Sequence, residues 1–203
     1  MVAEEIPQSL TAGLDALALD LPPQAPVRLA AYLALLEKWN RVYNLTAIRK
    51  REEMVTHHLL DSLVVLPHLA GQRALVDVGS GAGLPAIPLA IALPNQAVTS
   101  VEVVEKKAAF QRQAKIELRL ANLDVRCARA ETLTGRFDVA ISRAFASLSD
   151  FVQLAGHLAP RLLAMKGRMP GEGAPAGWRI AATHALTVPG LAAARCLVVL
   201  ERE

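Results

Sequence analysis

Cysteine is scarce in this 203-residue sequence, which contains only Cys127 and Cys196. The two lie far apart and outside any metal-ligand spacing, so they predict neither a disulfide framework nor a metal site, and they are typical of thiols in a reducing compartment. The opening segment, MVAEEIPQSL, lacks a basic start and a long apolar run. We therefore expect no secretory signal and a cytoplasmic location.

Aromatic residues are also few, at 4% of the chain, so any stacking on a partner must use few rings. No sign of charge dominates, since 22 basic residues face 19 acidic ones, and 53% of residues are hydrophobic. This composition is typical of a globular domain with a full core. The uncharged run 78–101 is long enough to span a bilayer, but it holds three glycines and three prolines, so we expect no membrane span.

The second half of the chain alternates between short β-prone segments and helical segments. The β-prone segments are 74–78, 97–101, 123–127, 137–142 and 161–167, and the helical ones are about 84–93, 105–121 and 148–159. Such alternation predicts βαβ units and a mainly parallel sheet. Two further strands, 178–186 and 193–203, are joined through Pro189-Gly190 and predict an antiparallel hairpin at one edge of a seven-stranded α/β sheet.

Two helical patterns precede the first strand. Residues 27–44 repeat leucines at helical intervals, and residues 52–69 form a second pattern that we expect to end at Pro67. A basic connector, 49–51, joins them. We therefore predict an N-terminal helical cap, residues 1–70, on a domain of residues 71–203, with the two forming one compact unit.

The segment VDVGSGAGLP, residues 76–85, has the form of a strand that enters a glycine-rich turn and then a helix. Its spacing is Gly79-x-Gly81-x-Gly83, and Leu84 stands where a dinucleotide-binding loop has its third glycine. This disfavours a nicotinamide oxidoreductase. A lysine followed by serine or threonine is missing, which disfavours a phosphate-cradling loop. The segment suits a nucleoside with a small amino-acid tail.

Two acids support that interpretation. Glu102 ends the second strand, where a carboxylate can accept hydrogen bonds from both ribose hydroxyls. Asp77 ends the first strand, and we expect it to face the crevice near a cationic group. In the alternative interpretation, each acid only accepts hydrogen bonds from nearby backbone. Loop, acid and βαβ context together indicate S-adenosylmethionine as the ligand.

Several longer segments carry a family resemblance. They are KWNRVYNLTAIR (38–49), HHLLDSLVVLPHL (57–69), VDVGSGAGLPAIPLAI (76–91), EKKAAFQRQ (105–113), RAE (129–131), FDVAISRAFASL (137–148) and MKGRMP (165–170). With them, the chain resembles the bacterial glucose-inhibited division protein B family, which methylates N7 of a guanine in 16S ribosomal RNA. The resemblance covers roughly residues 30–170. Ala86 departs from it, because the family usually has glycine there.

The resemblance implies a Rossmann-like class I methyltransferase. It implies that Gly79 and Leu84 contact the cofactor, that Ala130 and Glu131 frame its adenine, and that Arg143 lies in the site as a positioning residue. Alternatively, Glu131 caps a helix and Arg143 pairs with a carboxylate. The full set of expected cofactor-binding residues is Asp77, Gly79, Ser80, Gly81, Gly83, Leu84, Glu102, Ala130, Glu131 and Arg143.

Methyl transfer to guanine N7 uses a free lone pair, so no general base is required. N7 lies in the deep, narrow groove of A-form RNA, so the target guanine should be unpaired or distorted. We expect 16S ribosomal RNA or the small subunit as partner and a monomeric enzyme. The expected RNA-binding residues are Arg41, Arg49, Lys50, Arg51, Lys166 and Arg168.

Further side chains are expected to have other roles. Lys106, Lys107, Arg112 and Lys115 share one helix, where a solvated face is the simpler interpretation. Phe145 is a candidate for base stacking, and a hydrogen bond between His58 and Asp61 would orient the cap.

Two other functions remain open from sequence. A small-molecule methyltransferase would have the same loop without needing a basic cap, and it would act on metabolites. A non-catalytic RNA-binding or assembly factor would fail to bind the cofactor.

Overall fold

The computed structural model describes residues 5–143, 145, 147–168 and 171–203. Its helices are α1 (Gln8–Leu17), α2 (Ala25–Tyr43), α3 (Arg51–Met54), α4 (Asp61–Leu63), α5 (Ala86–Ala92), α6 (Glu105–Glu117) and α7 (Leu148–Ala155). Its strands are β1 (Ala74–Val78), β2 (Ala97–Glu102), β3 (Leu123–Cys127), β4 (Val139–Ser142), β5 (Arg161–Lys166), β6 (Trp178–Leu186) and β7 (Arg195–Arg202). Ala144, Ala146, Met169 and Pro170, which belong to the motifs quoted above, lie outside the described residues.

The strands form one seven-stranded sheet in the order β3-β2-β1-β4-β5-β7-β6. The first five pair in parallel, and β7 runs antiparallel to both β5 and β6. The predicted mainly parallel sheet with a C-terminal antiparallel hairpin is confirmed. From β1, the chain first adds strands on one side, β2 and β3, and then on the other side, β4 and β5. Open α/β sheets bind ligands in the crevice at such a reversal.

The N-terminal region has more elements than the sequence predicts. Helix α1 lies before the two expected helices and was not predicted. The expected helix over 52–69 is interrupted: α3 leads into a π-helical segment, Val55–Leu60, then into α4, and a short 3-10 turn, Leu66–Leu69, follows. The prediction that the pattern ends at Pro67 was wrong, because this proline lies inside the 3-10 turn.

Helix α2 packs against α5 and α6, on one face of the sheet. Tyr32 is fully buried there, with its ring centroid 6.2 Å from that of Phe110, and its hydroxyl donates to the carbonyl of Ala82 at 2.8 Å. Full burial of a large apolar side chain contributes about 1.5–3 kcal/mol. Buried leucines of α1 and α2 share this core with buried alanine, leucine and isoleucine side chains of α5. The division into a cap of residues 1–70 and a domain of residues 71–203 stays a prediction.

The other face of the sheet is covered by α7. Phe151 and Leu148 are fully buried against Val76 and Val78 of β1, with Trp178 from β6 in the same cluster. Ser147 begins α7 by accepting a hydrogen bond from the Asp150 amide through its hydroxyl, an N-cap arrangement. No helix among the described residues is long and apolar enough to cross a membrane.

Candidate functional site

The glycine-rich turn follows β1 directly and is tied to the end of β2. The amides of Gly79 and Ser80 donate to the Val101 carbonyl at 3.0 and 3.1 Å. The amides of Gly83 and Leu84 both donate to the Ser80 carbonyl at 2.8 Å. These bonds fold residues 79–84 into a tight turn at the switch point of the sheet.

Two glycines in this turn are required for different reasons. Gly83 has φ +86°, and a Cβ there would lie 2.4 Å from Ile87 Cδ1, so backbone conformation and packing both exclude a side chain. Gly81 has φ +58°, and a Cβ there would meet nothing within 4 Å. The side of Gly81 where a side chain would stand therefore faces open space, so a ligand can approach this backbone closely.

Glu102 holds the turn from the end of β2. Its Oε2 accepts the Gly81 amide at 2.8 Å, its Oε1 accepts the Val104 amide at 2.8 Å, and the residue is only 5% exposed. The alternative interpretation, in which Glu102 accepts hydrogen bonds from nearby backbone, therefore describes two bonds that are present. A carboxylate has about four acceptor positions, so these two bonds leave capacity for ribose hydroxyls.

A buried polar network, which was not predicted from the sequence, supports the turn from below. Gln111 of α6 is fully buried, and its Nε2 donates to Ser80 Oγ and to the Gly81 carbonyl, both at 2.8 Å. Ser100 Oγ lies 2.6 Å from Ser80 Oγ and also hydrogen-bonds Gln111 Oε1. The Ser80 side chain thus points into the protein. A glutamine on the stripe that α6 buries, between Ala108 and Ala114, was the available signal.

Asp77 is fully buried beneath the turn. Its Oδ2 accepts the Ala86 amide at 3.0 Å at the start of α5, while its Oδ1 is buried without a hydrogen-bond partner. Burial raises the pKa of this carboxyl to about 7. Ala86 stands at a position that does not need glycine, because it is helical and its φ is not positive. The expected role of Asp77 beside a cationic group stays a prediction.

A cleft of about 500 Å³ opens beside the turn. Its walls come from the glycine turn, the loop after α2, the π-helical segment and the ends of β4, β5 and β7. Its charged lining residues are Asp61, Arg143, Lys166 and Arg195, with His57 and His58 beside them. Three cationic side chains against one carboxylate make the wall electropositive, which suits a polyanion.

Asp61 joins the N-terminal region to the sheet across this cleft. Its Oδ2 accepts Arg143 Nη1 at 2.8 Å and its Oδ1 accepts Arg195 Nε at 2.9 Å. Arg143 also donates to the His57 carbonyl at 3.0 Å. Arg143 was expected to lie in the site, and it lines the cleft. The alternative, that it pairs with a carboxylate, also describes a contact that is present, the one with Asp61. Arg195 was missed.

The expected hydrogen bond between His58 and Asp61 was wrong. His58 Nε2 bonds Thr46 Oγ1 at 2.9 Å, and its Nδ1 is buried without a partner. Burial, reinforced by the Arg143 charge, lowers the pKa of His58 to about 4. The imidazole is therefore neutral at pH 7 and fastens the loop after α2 to the π-helical segment.

Ala130 and Glu131 lie in a 3-10 turn, Ala130–Thr132, after β3. Ala130 is buried, whereas Glu131 is exposed and pairs with Arg129 at 3.0 Å. The chain between β3 and this turn stays beside the end of β2, because the Ala128 amide donates to the Glu102 carbonyl at 3.2 Å. Neither residue lines the cleft described above, so their expected contact with adenine stays a prediction.

The expected RNA-binding residues occupy two regions. Arg41, Arg49 and Lys50 are exposed at the end of α2 and in the connector, while Arg51 is half-buried and pairs with Glu37 at 3.1 Å. Lys50 pairs with Glu53 at 3.4 Å across exposed surface, a contact worth little in water.

The other two expected residues, Lys166 and Arg168, lie at the end of β5 and just after it. Lys166 lines the cleft, largely buried, and donates to the Phe145 carbonyl at 3.0 Å. Arg168 is exposed. Phe145 stacks on Phe151 with centroids 5.3 Å apart, so one of its faces is covered. RNA contact by these residues stays a prediction.

Helix α6 shows a mostly solvated basic face. Lys106 is exposed, Lys107 and Lys115 are half-exposed, and Arg112 pairs with Glu105 at 2.6 Å. Among the described residues, no group of three or more histidine, cysteine, aspartate or glutamate side chains is placed to hold a metal ion.

Comparison with known proteins identifies the family. The family model described as GidB, rRNA small subunit methyltransferase G, matches residues 27–193. A relative from Aromatoleum aromaticum with the name ribosomal RNA small subunit methyltransferase G is 56% identical, covering 96% of this chain and 98% of its own. A protein of the same name from Azoarcus sp. is 55% identical over 95% of both chains.

Solved structures show the same fold at low identity. TrmN from Thermus thermophilus superposes with a TM-score of 0.58 at 20% identity, covering 70% of this chain and 48% of that one. Magnesium protoporphyrin IX methyltransferase from Synechocystis PCC 6803, crystallised with bound SAM, gives 0.56 at 18% identity, covering 91% and 99%. The predicted Rossmann-like methyltransferase fold is confirmed. On the match over residues 27–193 and more than half identity to two whole relatives, the chain belongs to the GidB family, rRNA small subunit methyltransferase G.

Proposed function

We propose that this protein transfers a methyl group from S-adenosylmethionine to N7 of a guanine in 16S ribosomal RNA. The observation that carries the proposal is membership of the rRNA small subunit methyltransferase G family across residues 27–193. The geometry of the glycine turn and of the electropositive cleft beside it supports the proposal.

The residues at the turn fit this cofactor. Gly81 offers bare backbone facing open space, and Glu102 at the end of β2 retains acceptor capacity for ribose hydroxyls. The adjoining cleft, about 500 Å³, lies within the range of about 300–1,000 Å³ that small-molecule sites occupy. We assign cofactor binding to Gly79, Gly81, Leu84 and Glu102, with Asp77 beneath them. When bound, the cofactor supplies a methyl group on a sulfonium centre.

The site residues suit a reaction that removes no proton from the substrate. Guanine N7 has a free lone pair, so the protein need only hold it in line with the methyl group. Orientation of this kind can supply about 7–11 kcal/mol of the barrier. His58 is engaged with Thr46 and Asp77 is fully buried, so neither is placed to act as a general base.

Transfer places positive charge on the guanine ring, so acceptors near the purine help and a donor at N7 would block the reaction. Arg143 therefore acts on phosphate or on another edge of the substrate. Its Nη1 is already committed to Asp61 and to the His57 carbonyl, which fixes the guanidinium plane at the cleft wall. Arg143 is thus a positioning residue.

The proposal is tested by methyl transfer from labelled S-adenosylmethionine to ribosomal RNA that lacks its modifications, followed by nucleoside analysis. The expected product is 7-methylguanosine in small-subunit RNA. Small ribosomal subunits from the same source serve as a second substrate, because RNA structure differs in the particle. Label in another nucleoside, or no label in either substrate while the protein binds the cofactor, would overturn the proposal.

A further inference from the structure

The chain has eight phenylalanine, tyrosine and tryptophan side chains, and all of them lie in the described part of the structure. Tyr32, Phe110 and Phe151 are fully buried, and Trp178 is nearly so. Phe137 and Phe145 pack against the core under α7, and Trp39 packs against the core on the other face. Tyr43, at 42% exposed, is the one exposed ring among the eight.

Tyr43 belongs to a small apolar surface at the end of α2, which we call the Tyr43 platform and define as Trp39, Val42 and Tyr43. The spacing of these residues, three and four apart, places them on one helix face. The Trp39 and Tyr43 rings lie 5.1 Å apart at 32°. Trp39 is in turn anchored on buried Phe110, with centroids 5.6 Å apart. Val42 is 70% exposed.

The ring contacts support Tyr43 from the core. Tyr43 packs on Trp39, which itself packs on buried Phe110, so these contacts restrict the orientation of the Tyr43 ring. When such a ring binds another flat ring, it loses little side-chain conformational entropy, because its orientation is already restricted.

Exposed cationic side chains lie near the platform. Lys38 precedes Trp39 on α2, and the exposed Arg49 reaches Asn44, the residue after Tyr43. Arg41 is exposed on the opposite face of α2, because it is two residues from both Trp39 and Tyr43. Arg49 donates to the Asn40 carbonyl at 3.1 Å and to Asn44 Oδ1 at 2.6 Å. Both partners are uncharged, so these bonds hold the guanidinium in place without neutralising it.

The platform also adjoins the cleft. The chain leaves α2 at Tyr43, and Leu45 and Thr46 already line the cleft wall. His58 fastens this loop through Thr46. The platform is therefore within two or three residues of the cleft wall, close enough for a polymer in the cleft to reach both.

We propose that the Tyr43 platform stacks an unpaired base of the substrate RNA near the target guanine. The proposal rests on the proposed function, because it takes RNA as the substrate. Single-stranded nucleic acid is bound by aromatic rings that stack bases and cations that hold the backbone. The Tyr43 platform joins both features at the rim of the cleft, where a guanine that must leave its helix would have unpaired neighbours.

The test compares a base-containing polyanion with a base-free one. Binding of fluorescent single-stranded oligoadenylate is measured by anisotropy, with inorganic polyphosphate as competitor. Tyr43→Ala should weaken oligoadenylate binding by about 5- to 150-fold, the range for loss of one stacked base. Affinity for polyphosphate should stay unchanged, and Tyr43→Phe should retain the affinity of the parent because it keeps the ring.

Ile116→Ala is the matched control, since Ile116 is an apolar side chain of α6 that is 69% exposed and does not belong to the platform. It should bind oligoadenylate like the parent. In methyl-transfer assays, Tyr43→Ala should raise KM for ribosomal RNA while kcat and KM for S-adenosylmethionine stay unchanged.

The outcomes separate this proposal from the proposed function. If the parent neither binds nor methylates RNA, the proposed function fails and the platform proposal fails with it. If the parent does both and Tyr43→Ala behaves like it, only the platform proposal is overturned. An equal loss of polyphosphate affinity would overturn it too. Normal affinity for naked RNA with reduced methylation of small subunits would assign the platform to a protein partner and also overturn it.

Discussion

Gly81 and Gly83 are two residues apart in one turn, yet alanine at each should affect different properties. At Gly83, φ +86° and a Cβ 2.4 Å from Ile87 Cδ1 and 3.3 Å from Gln111 Cγ oppose any side chain. The left-handed backbone costs about 1–2 kcal/mol. Overpacking adds about 1–3 kcal/mol, since fully buried Ile87 cannot move freely. Gly83→Ala should therefore lower the free energy of unfolding by about 2–5 kcal/mol.

At Gly81 the added Cβ would meet nothing, so only the backbone term, about 1–2 kcal/mol, applies. The new methyl group would occupy the space assigned to the cofactor. Gly81→Ala should thus lower cofactor affinity while leaving most of the stability. Urea unfolding and calorimetric titration with S-adenosylmethionine measure both quantities for both variants. Unchanged cofactor affinity in Gly81→Ala, or a larger stability loss than in Gly83→Ala, would refute the reasoning.

Three further changes test other parts of the site. Glu102→Ala removes the acceptor of the Gly81 amide and should weaken calorimetric S-adenosylmethionine binding at least about tenfold; parental affinity would exclude the ribose role. Asp61→Asn leaves two arginines, each about one-fifth exposed, without their carboxylate and should lower the free energy of unfolding by about 2–3 kcal/mol in urea titrations; a loss below about 0.5 kcal/mol, the range of ordinary surface changes, would argue against it.

Asp77→Asn tests how the stability of the protein depends on pH, because burial raises the pKa of the Asp77 carboxyl from 3.8 to about 7. The folded protein binds the proton more tightly than the unfolded chain, so this contribution to stability is full below pH 3.8 and is lost as pH rises through 7. Without cofactor, the parent should lose more stability between pH 5 and 8 than the variant, and parallel pH profiles would contradict the raised pKa.

Much of the sheet could be predicted from sequence because its signals are local. The segments 74–78, 123–127 and 178–186 coincide with β1, β3 and β6. Apolar runs bounded by turn residues encode such strands. Helix α1 was missed although Leu10, Leu14 and Leu17 recur at helical intervals, so its signal was present in the sequence.

The site was predictable only where its residues are close in the chain or form a motif. The glycine turn and Glu102 belong to one βαβ unit, so their meeting follows from the topology. Asp61 and Arg195 are 134 residues apart and meet because β7 inserts between β5 and β6. No local pattern records that pairing, and an arginine opening a C-terminal strand gives no signal of its own.

The π-helical segment Val55–Leu60 sets the rotational phase of the helix that carries Asp61. A π-helical turn takes up about one residue more than an α-helical turn, so a one-residue deletion there would be absorbed by a return to α-helical winding. Asp61 would then still face both arginines, and the change would fall on the side chains of the segment itself. We infer that this segment tolerates the loss of one residue better than a regular helix such as α2, in which the same deletion would rotate everything beyond it by about 100°.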